Sequence, residues 1–208
     1  MVYILNDIRI FNFDSFEKSS YFLLRFFLKA RKLKLNIALA GGSTPLYLYK
    51  LMSEYHFPNF RFFLTDERYV PNDDKDSNYH NISKYLSVEP IYKTGDIKKD
   101  CEAFSEIISE NPIHIALLGI GEDGHSASIF PDKNITYRCE NALVSISPSG
   151  MPRISLNESA ISKVCQLVFF VSKSKKDVVS RLLREKNTIA NEFININHHK
   201  KPILVSDG

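Results

Sequence analysis

The feature that most constrains this chain is an apolar run that ends abruptly in glycines and titratable side chains. Residues 113–118, Ile-His-Ile-Ala-Leu-Leu, have the length and composition of a buried β-strand. Residues 119–125 follow at once and have the sequence Gly-Ile-Gly-Glu-Asp-Gly-His. Open α/β sheets bind ligands just beyond the carboxyl ends of their strands. We therefore expect a functional site here, with Asp123 and His125 as its titratable groups.

Apolar strands alternate with amphipathic helices along most of the chain. The sequence predicts strands at 35–39, 61–65, 113–118, 142–147, 153–155, 166–171 and 203–205. It predicts helices at 16–32, 45–55, 77–86, 101–109 and 175–184, a short helix capped by Asn157, and loop or weak structure at 90–100. This alternation indicates an α/β fold with a doubly wound, mostly parallel sheet. The length of 208 residues suits a single domain over 1–208.

Composition and charge argue against several classes of protein. The net charge of +3 is mild and no basic stripe occurs, so we expect no nucleic-acid partner. No apolar run is long enough to span a bilayer, and the first residues do not resemble a signal peptide, so we expect no membrane partner and a cytoplasmic location. The three cysteines are widely separated and are expected to be reduced. No histidine or cysteine spacing is typical of a metal site.

The glycines of 119–124 also match a dinucleotide-binding turn. Gly119, Gly121 and Gly124 have the GxGxxG spacing. That interpretation requires a helix of useful length next, but Pro131 limits any helix to about one or two turns. Asp123 would also direct negative charge at a phosphate. The sequence favours an exposed Asp–His pair instead, and a turn without a site stays as the other alternative.

A second glycine turn follows the strand at 35–39. Gly41 and Gly42 allow the backbone to approach a ligand, and Ser43 and Thr44 add hydroxyl donors at the start of a helix. The N-terminus of a helix offers unpaired N–H groups and a partial positive charge, which suits a phosphate. The alternative is an ordinary helix cap by Ser43 or Thr44.

Further charged and polar side chains lie at predicted strand ends and turns. Asp66 is suited to orienting a hydroxyl group or water, and Arg68 to binding an anion. Asn78 belongs to a segment that alternatively caps a helix. Arg153 lies on a short strand and Lys175 at a strand-to-helix turn. Each alone is typical of a solvated surface, but cations added to a helix N-terminus complete a phosphate site.

These motifs occur in the order found in one family. The chain resembles the 6-phosphogluconolactonases over about residues 35 to 185, and Lys175 also matches. The matching blocks are 40–45 (AGGSTP), 66–71 (DERYVP), 76–78 (DSN), 118–131 (LGIGEDGHSASIFP) and 152–156 (PRISL). The resemblance implies a Rossmann-like sheet with helices on both faces and hydrolysis of 6-phospho-D-glucono-1,5-lactone in the oxidative pentose phosphate pathway. It implies a phosphorylated sugar lactone as partner, no cofactor, and a monomer or homodimer.

A sister family, the glucosamine-6-phosphate deaminases, has a similar fold and glycine turn. Its motif resembles Asp-Gly-His-Ile-Ala-Phe-Asn-Glu, in which the glutamate assists ring opening. Residues 126–131 here lack that glutamate, and Arg68 separates Glu67 from Tyr69. Both differences favour the lactonase. A deaminase or isomerase and a non-catalytic sugar-phosphate sensor stay as alternatives.

The resemblance and the chemistry of a lactone suggest roles at the reacting end of the substrate. An imidazole ordinarily titrates near pH 6.5, so His125 is suited to take a proton from water. Asp123 is suited to fix the tautomer of that ring. Arg68, or backbone N–H groups near Gly121, would stabilise the oxyanion, and Asp66 would orient a hydroxyl group or water.

The remaining candidates are expected to bind the phosphate and the rest of the substrate. They are Gly41, Gly42, Ser43, Thr44, Asn78, Gly121, Arg153 and Lys175. The chain departs from the family after Ile203, where relatives continue into a final helix. We expect that departure to expose an apolar sheet face or to leave it to a partner chain.

Overall fold

Two β-sheets organise residues 2–207, which are the residues that the computed structural model describes. The strands are β1 (Val2–Leu5), β2 (Ile8–Asn12), β3 (Leu35–Leu39), β4 (Phe60–Leu64), β5 (Asp66–Arg68), β6 (Ile115–Leu118), β7 (Ile135–Arg138), β8 (Ala142–Ile146), β9 (Pro152–Leu156), β10 (Gln166–Val171) and β11 (Ile203–Ser206). The helices are α1 (Phe16–Ala30), α2 (Leu46–Ser53), α3 (Asn78–Ser83), α4 (Ile97–Glu110), α5 (Glu158–Ser162), α6 (Lys176–Ser180) and α7 (Ile189–Ile196).

The larger sheet has seven strands in the order β1-β2-β11-β10-β6-β3-β4. All neighbouring strands are parallel except β1, which pairs antiparallel with β2 at one edge. Every residue of β6 and β10 is buried, as expected for central parallel strands that helices cover on both faces. The predicted α/β fold, with a doubly wound and mostly parallel sheet, is confirmed.

The direction of winding reverses between β3 and β6. From β3 the chain moves outward to β4, and it then returns past β3 to β6 and onward to β10. Right-handed crossovers place outward-going and returning helices on opposite faces of the sheet, and α1 accordingly packs on α2 while α5 packs on α7. Ligands bind at such a reversal, beside the carboxyl ends of the two strands. Those ends are Leu39 and Leu118.

A separate antiparallel sheet, in the order β5-β9-β8-β7, lies beyond the larger one. The sequence predicted β8 and β9 but not that they form a second sheet. Thr65 alone separates β4 from β5; its N–H donates to the Leu39 carbonyl at 3.0 Å, and its carbonyl accepts from the Leu156 N–H at 2.9 Å. This junction brings the smaller sheet beside the end of β3.

Capping residues explain where two helices begin. The Ser15 hydroxyl accepts from the Lys18 N–H at 3.3 Å, so α1 begins at Phe16 as predicted. Asp96 accepts from two backbone N–H groups and starts α4 at Ile97. The expectation of loop or weak structure throughout 90–100 is therefore wrong for its last four residues.

Five elements were not predicted from the sequence: β1, β2, β5, β7 and α7. The helix predicted at 175–184 is divided into a 3₁₀ turn at Lys173–Lys175, the short α6 and a π-helix at Arg181–Glu185. The expected exposure of an apolar sheet face near Ile203 is wrong, because every residue of β11 is buried between β10 and β2.

Candidate active site

A cavity of about 660 Å³ opens at the carboxyl ends of β3 and β6. The predicted site residues come together here from both sheets, although they are far apart in the sequence. Those that line it are Gly41, Gly42, Ser43, Thr44, Asp66, Arg68, Asn78, Gly121, His125, Arg153 and Lys175. Asp123 is the exception, since it contacts the His125 ring and not the cavity.

His125 and Asp123 form a hydrogen-bonded pair in the turn after β6. The ring Nδ1 lies 2.5 Å from the Asp123 Oδ1, and the same oxygen accepts from the His125 backbone N–H at 3.1 Å. Burial alone would raise the pKa of Asp123, but these hydrogen bonds and the imidazole charge outweigh it, and the pKa is lowered. With Nδ1 bound to the carboxylate, Nε2 is the ring nitrogen left for water or substrate.

The backbone of this turn is closed on itself. The Gly121 N–H donates to the His125 carbonyl at 2.8 Å, and the Gly124 N–H donates to the Gly121 carbonyl at 2.9 Å. Gly124 has a φ of +95°, which disfavours any side chain. Because the Gly121 N–H is already bonded, it is not free for an oxyanion in this geometry. No helix follows before Pro131, so the dinucleotide-turn interpretation is wrong.

The segment after α6 holds the outer side of the same turn. Two terminal nitrogens of Arg181 donate to the carbonyls of Glu122 and Asp123 at 3.2 and 3.3 Å. The Ile189 N–H donates to the Gly124 carbonyl at 3.0 Å. The carbonyls of Glu122, Asp123 and Gly124 therefore accept hydrogen bonds from residues outside the cavity. These bonds fix the orientation of the peptide groups that precede His125.

The glycine turn after β3 is open on its ligand side. The residue that precedes α2 is Pro45, so the helix begins one position later than predicted, and no side chain caps it. The alternative of an ordinary cap by Ser43 or Thr44 is therefore wrong. Within residues 2–207 neither hydroxyl has a protein hydrogen-bond partner. The turn retains the donors that a phosphate needs.

Asp66 and Arg68 reach the cavity from β5. The two carboxylate oxygens of Asp66 accept from the hydroxyls of Thr65 and Ser128 at 2.8 and 2.6 Å. Arg68 donates from Nη1 to the carbonyl of Asp76 at 2.5 Å. Both side chains are therefore held in place before any ligand binds.

Arg153 faces the same region from β9. Its Nε is buried and has no hydrogen-bond partner within residues 2–207. Burial lowers the pKa of Arg153, the charge of Asp66 opposes this, and the nearby Arg68 adds to it. A partly buried guanidinium beside a second one is the arrangement expected where an anion binds.

Lys175 and Asn78 complete the ring of polar groups. The Lys175 Nζ donates to the Ile120 carbonyl at 2.9 Å, at the start of the turn that carries His125. The Asn78 amide donates to the Asp66 carbonyl at 2.8 Å and lies flat against Gly41, where a Cβ would be 1.9 Å from the Asn78 Oδ1. Gly41 is thus required for this contact, because any side chain there would collide with the Asn78 amide.

Other residues of the cavity wall were not singled out from the sequence. They include Phe16, Glu122, Ser128, Phe130, Phe170, Ser172, Ser174 and Asp207. Asp207 follows the last residue of β11, so the rule that selected 119–125 would also have selected it. Its carboxylate accepts from the Lys173 N–H and fixes the turn that carries Lys175.

Two searches of residues 2–207 limit what the site contains. No group of three or more histidine, cysteine, aspartate or glutamate side chains is placed to hold a metal ion. Every helix in this range is too short or too polar to span a bilayer.

Comparison with known proteins identifies the family. A family model described as glucosamine-6-phosphate isomerases/6-phosphogluconolactonase matches residues 24–200. The chain belongs to this family. A 6-phosphogluconolactonase of Thermotoga maritima is 34% identical over 169 residues, which are 73% of this chain and 76% of that protein. Another from Haemophilus influenzae is 30% identical over 169 residues, or 71% and 72% of the two chains.

Solved structures of the family show the same fold. A 6-phosphogluconolactonase from Shewanella baltica superposes with a TM-score of 0.83 and 21% identity, covering 98% of this chain and 99% of the other. One from Thermotoga maritima gives a TM-score of 0.75 and 26% identity over 95% and 97% of the two chains. The resemblance seen in the sequence is confirmed.

Proposed function

We propose that this chain hydrolyses 6-phospho-D-glucono-1,5-lactone to 6-phospho-D-gluconate, with His125 as the general base. The observation that carries the proposal is the His125–Asp123 pair, whose imidazole lines the same cavity as an uncapped glycine turn and three cationic side chains. The names of the related proteins point to the same reaction. The substrate is a phosphorylated sugar lactone, and the reaction requires no cofactor.

The pair is suited to activating water. Asp123 holds Nδ1, so Nε2 of His125 removes a proton from water as the oxygen attacks the lactone carbonyl. The tetrahedral intermediate collapses by breaking the bond to the ring oxygen, and that oxygen takes the proton back from His125 as it becomes a hydroxyl group. Arg68 stabilises the oxyanion, since the Gly121 N–H is bonded within its own turn. Asp66 orients a substrate hydroxyl group or the water.

The phosphate binds at the glycine turn. Gly41, Gly42, Ser43 and Thr44 offer backbone and hydroxyl donors, while Arg153 and Lys175 supply charge at the cavity wall. Asn78 and Gly121 shape the space between the two ends of the substrate. This division of roles gives each end of the lactone its own set of donors.

A specific contact favours hydrolysis over deamination. In the deaminase-like motif the eighth residue from the aspartate is a glutamate, whereas here it is Phe130. The ring centroids of Phe130 and His125 are 4.9 Å apart. An apolar ring beside the imidazole cannot supply the carboxylate that assists sugar ring opening. It can exclude water molecules other than the one that attacks the lactone.

The test is a pair of assays on the same preparation. Lactone opening is followed after the spontaneous rate has been subtracted, and ammonia release is measured with glucosamine 6-phosphate. We expect lactonase turnover and no ammonia. Ammonia release alone would identify a deaminase, and ligand binding without either reaction would identify a sensor.

The role of His125 is tested separately with His125→Ala. Loss of one general base should lower kcat about 10²–10⁴-fold with a smaller effect on KM. His80→Ala is the matched control, because His80 does not line the cavity. If kcat of His125→Ala stays near the wild-type value, another group is the base, even where the lactonase activity itself is real.

A further inference from the structure

Glu67 lies directly behind the active site and not in it. Successive side chains of a strand point to opposite faces, so Asp66 and Arg68 of β5 face the cavity while Glu67 faces away from it. Its side chain is fully buried, with 0% exposure. Within residues 2–207 it forms no ion pair with an arginine or lysine. A buried carboxylate of this kind needs another explanation.

Four hydrogen bonds account for both carboxylate oxygens. Oε1 accepts from the backbone N–H groups of Arg68 and Asn78 at 2.7 and 2.6 Å. Oε2 accepts from the Ser77 hydroxyl at 3.0 Å and the Tyr79 N–H at 2.7 Å. Two of the donors are the first N–H groups of α3, which otherwise have no partner in the helix. Glu67 therefore fixes the start of α3 against β5.

The elements that Glu67 joins carry two different parts of the cavity wall. Asn78, the first residue of α3, lies against Gly41 and so supports the glycine turn. Arg68 is held at both ends: its N–H donates to Glu67, and its guanidinium donates to the Asp76 carbonyl, one residue before Ser77. A change at Glu67 therefore moves the glycine turn and Arg68 together.

We infer that Glu67 is a positioning residue that sets the separation between the glycine turn and the arginines of the cavity. The inference rests on the proposed function, because it assumes that one substrate spans these two groups. Glu67 touches neither the substrate nor the reacting atoms. It acts through the backbone of α3 and β5 and therefore determines how well a phosphorylated substrate fits.

Burial favours the neutral form of this side chain and raises the pKa of Glu67, against the opposing effect of its hydrogen bonds to Tyr79, Asn78, Ser77 and Arg68. Glutamine is a mild replacement in size. It is not mild in hydrogen bonding, because an amide nitrogen cannot accept from a backbone N–H. Glu67→Gln leaves at least one of the three backbone donors without its acceptor and displaces the start of α3.

The experiment compares Glu67→Gln with the wild type by steady-state kinetics and by calorimetric binding of 6-phosphogluconate. We expect KM and the product Kd both to rise about tenfold, since a small displacement of a binding group is costly, and kcat to fall by a similar factor, because Arg68, the proposed oxyanion donor, moves as well. The matched control is Asn197→Ala, which removes two buried hydrogen bonds, to the carbonyls of Ile161 and Val164, away from the cavity. The control should lose thermal stability without a change in KM.

The outcomes separate this inference from the proposed function. If the wild type neither hydrolyses the lactone nor binds 6-phosphogluconate, the proposed function fails. If the wild type does both and a folded Glu67→Gln protein has unchanged KM and Kd, the positioning role of Glu67 is overturned. Where Glu67→Gln does not fold, Ser77→Ala removes one of the four hydrogen bonds and should raise KM by a smaller factor. An unchanged KM in Ser77→Ala would then overturn the inference.

Discussion

Arg68 on β5 and Arg153 on β9 form a cross-strand pair, so their two side chains leave the sheet from directly opposite positions. Like charges placed opposite each other destabilise an antiparallel sheet. Neither arginine has an ion pair with a carboxylate within residues 2–207. This cost in stability is expected if the pair binds an anion at the cavity wall, as the proposed function requires.

Arg153→Met should therefore weaken binding without weakening the fold. A hydrogen bond to a charged group contributes about 1.5–3 kcal/mol, so the Kd of 6-phosphogluconate should rise about 10- to 100-fold. The melting temperature of the ligand-free variant should equal or exceed that of the wild type, because repulsion with Arg68 is relieved. Thermal shift with and without ligand measures both quantities. Arg138→Met removes a surface ion pair with Glu158, so it should lower the melting temperature and leave the Kd of 6-phosphogluconate unchanged. A wild-type Kd in Arg153→Met would argue against a role for Arg153 in binding.

Asp123→Asn should reduce kcat with little change in KM. The amide presents an N–H to the ring of His125 and favours the tautomer in which Nε2 carries the proton, so that it cannot accept one from water. We expect kcat to fall at least about tenfold. Stopped-flow or coupled kinetics measures it, with Asp73→Asn as an exposed-carboxylate control that does not line the cavity. A wild-type kcat in Asp123→Asn would mean that the carboxylate does not set the tautomer.

The Asp123→Asn variant should also change how the free energy of unfolding depends on pH. Because the pKa of Asp123 is lowered in the folded state, ionised Asp123 contributes stability that is present above its ordinary value of 3.8. That contribution is lost as the pH falls through the lowered folded-state pKa. The difference in free energy of unfolding between wild type and Asp123→Asn should shrink from about pH 6 to about pH 3 in urea titrations. A difference that is independent of pH would show that the carboxylate charge is not involved.

The sequence was sufficient where local signals and strand ends decide the outcome. The strand at Gln166–Val171 was predicted at both ends, and all but one of the predicted site residues meet in one cavity. This worked because parallel strands deliver the residues after them to one edge of the sheet. The resemblance to a known family then indicated which reaction to expect at that edge.

Elements fixed by weak or distant signals were missed. Asn6 and Asp7 both have positive φ and form the two-residue turn between β1 and β2, but without a glycine the pair is a weak hairpin signal. Arg181 binds carbonyls more than 55 residues away, and no local pattern predicts such a contact. Glu67 could be told apart from Asp66 and Arg68 only once the strand bounds showed which side chains share a face.

Lys175→Ala should raise KM for the phosphorylated lactone and leave kcat nearly unchanged. Lys175 reaches the cavity, and its Nζ lies 2.9 Å from the Ile120 carbonyl. In the proposed function it adds a charged donor for the substrate phosphate. Loss of that donor should raise KM about tenfold or more. Lys176→Ala is the neighbouring control, since Lys176 is exposed and does not line the cavity. Equal KM values for the two variants would remove Lys175 from the phosphate site.

Two glycines of one turn provide the sharpest comparison for the position of the His125 ring. A Cβ at Gly121 would lie 2.1 Å from two atoms of that ring and 2.7 Å from the Asp123 Oδ1, whereas a Cβ at Gly119 would have nothing within 4 Å. Neither glycine has a positive φ, so the two alanine variants differ in contact and not in backbone strain. Gly121→Ala should lower kcat about 10²-fold or more by displacing the imidazole, while Gly119→Ala stays near the wild type. Steady-state kinetics and circular dichroism on both proteins measure this, and a fully active Gly121→Ala enzyme would mean that catalysis does not depend on the ring position described for His125.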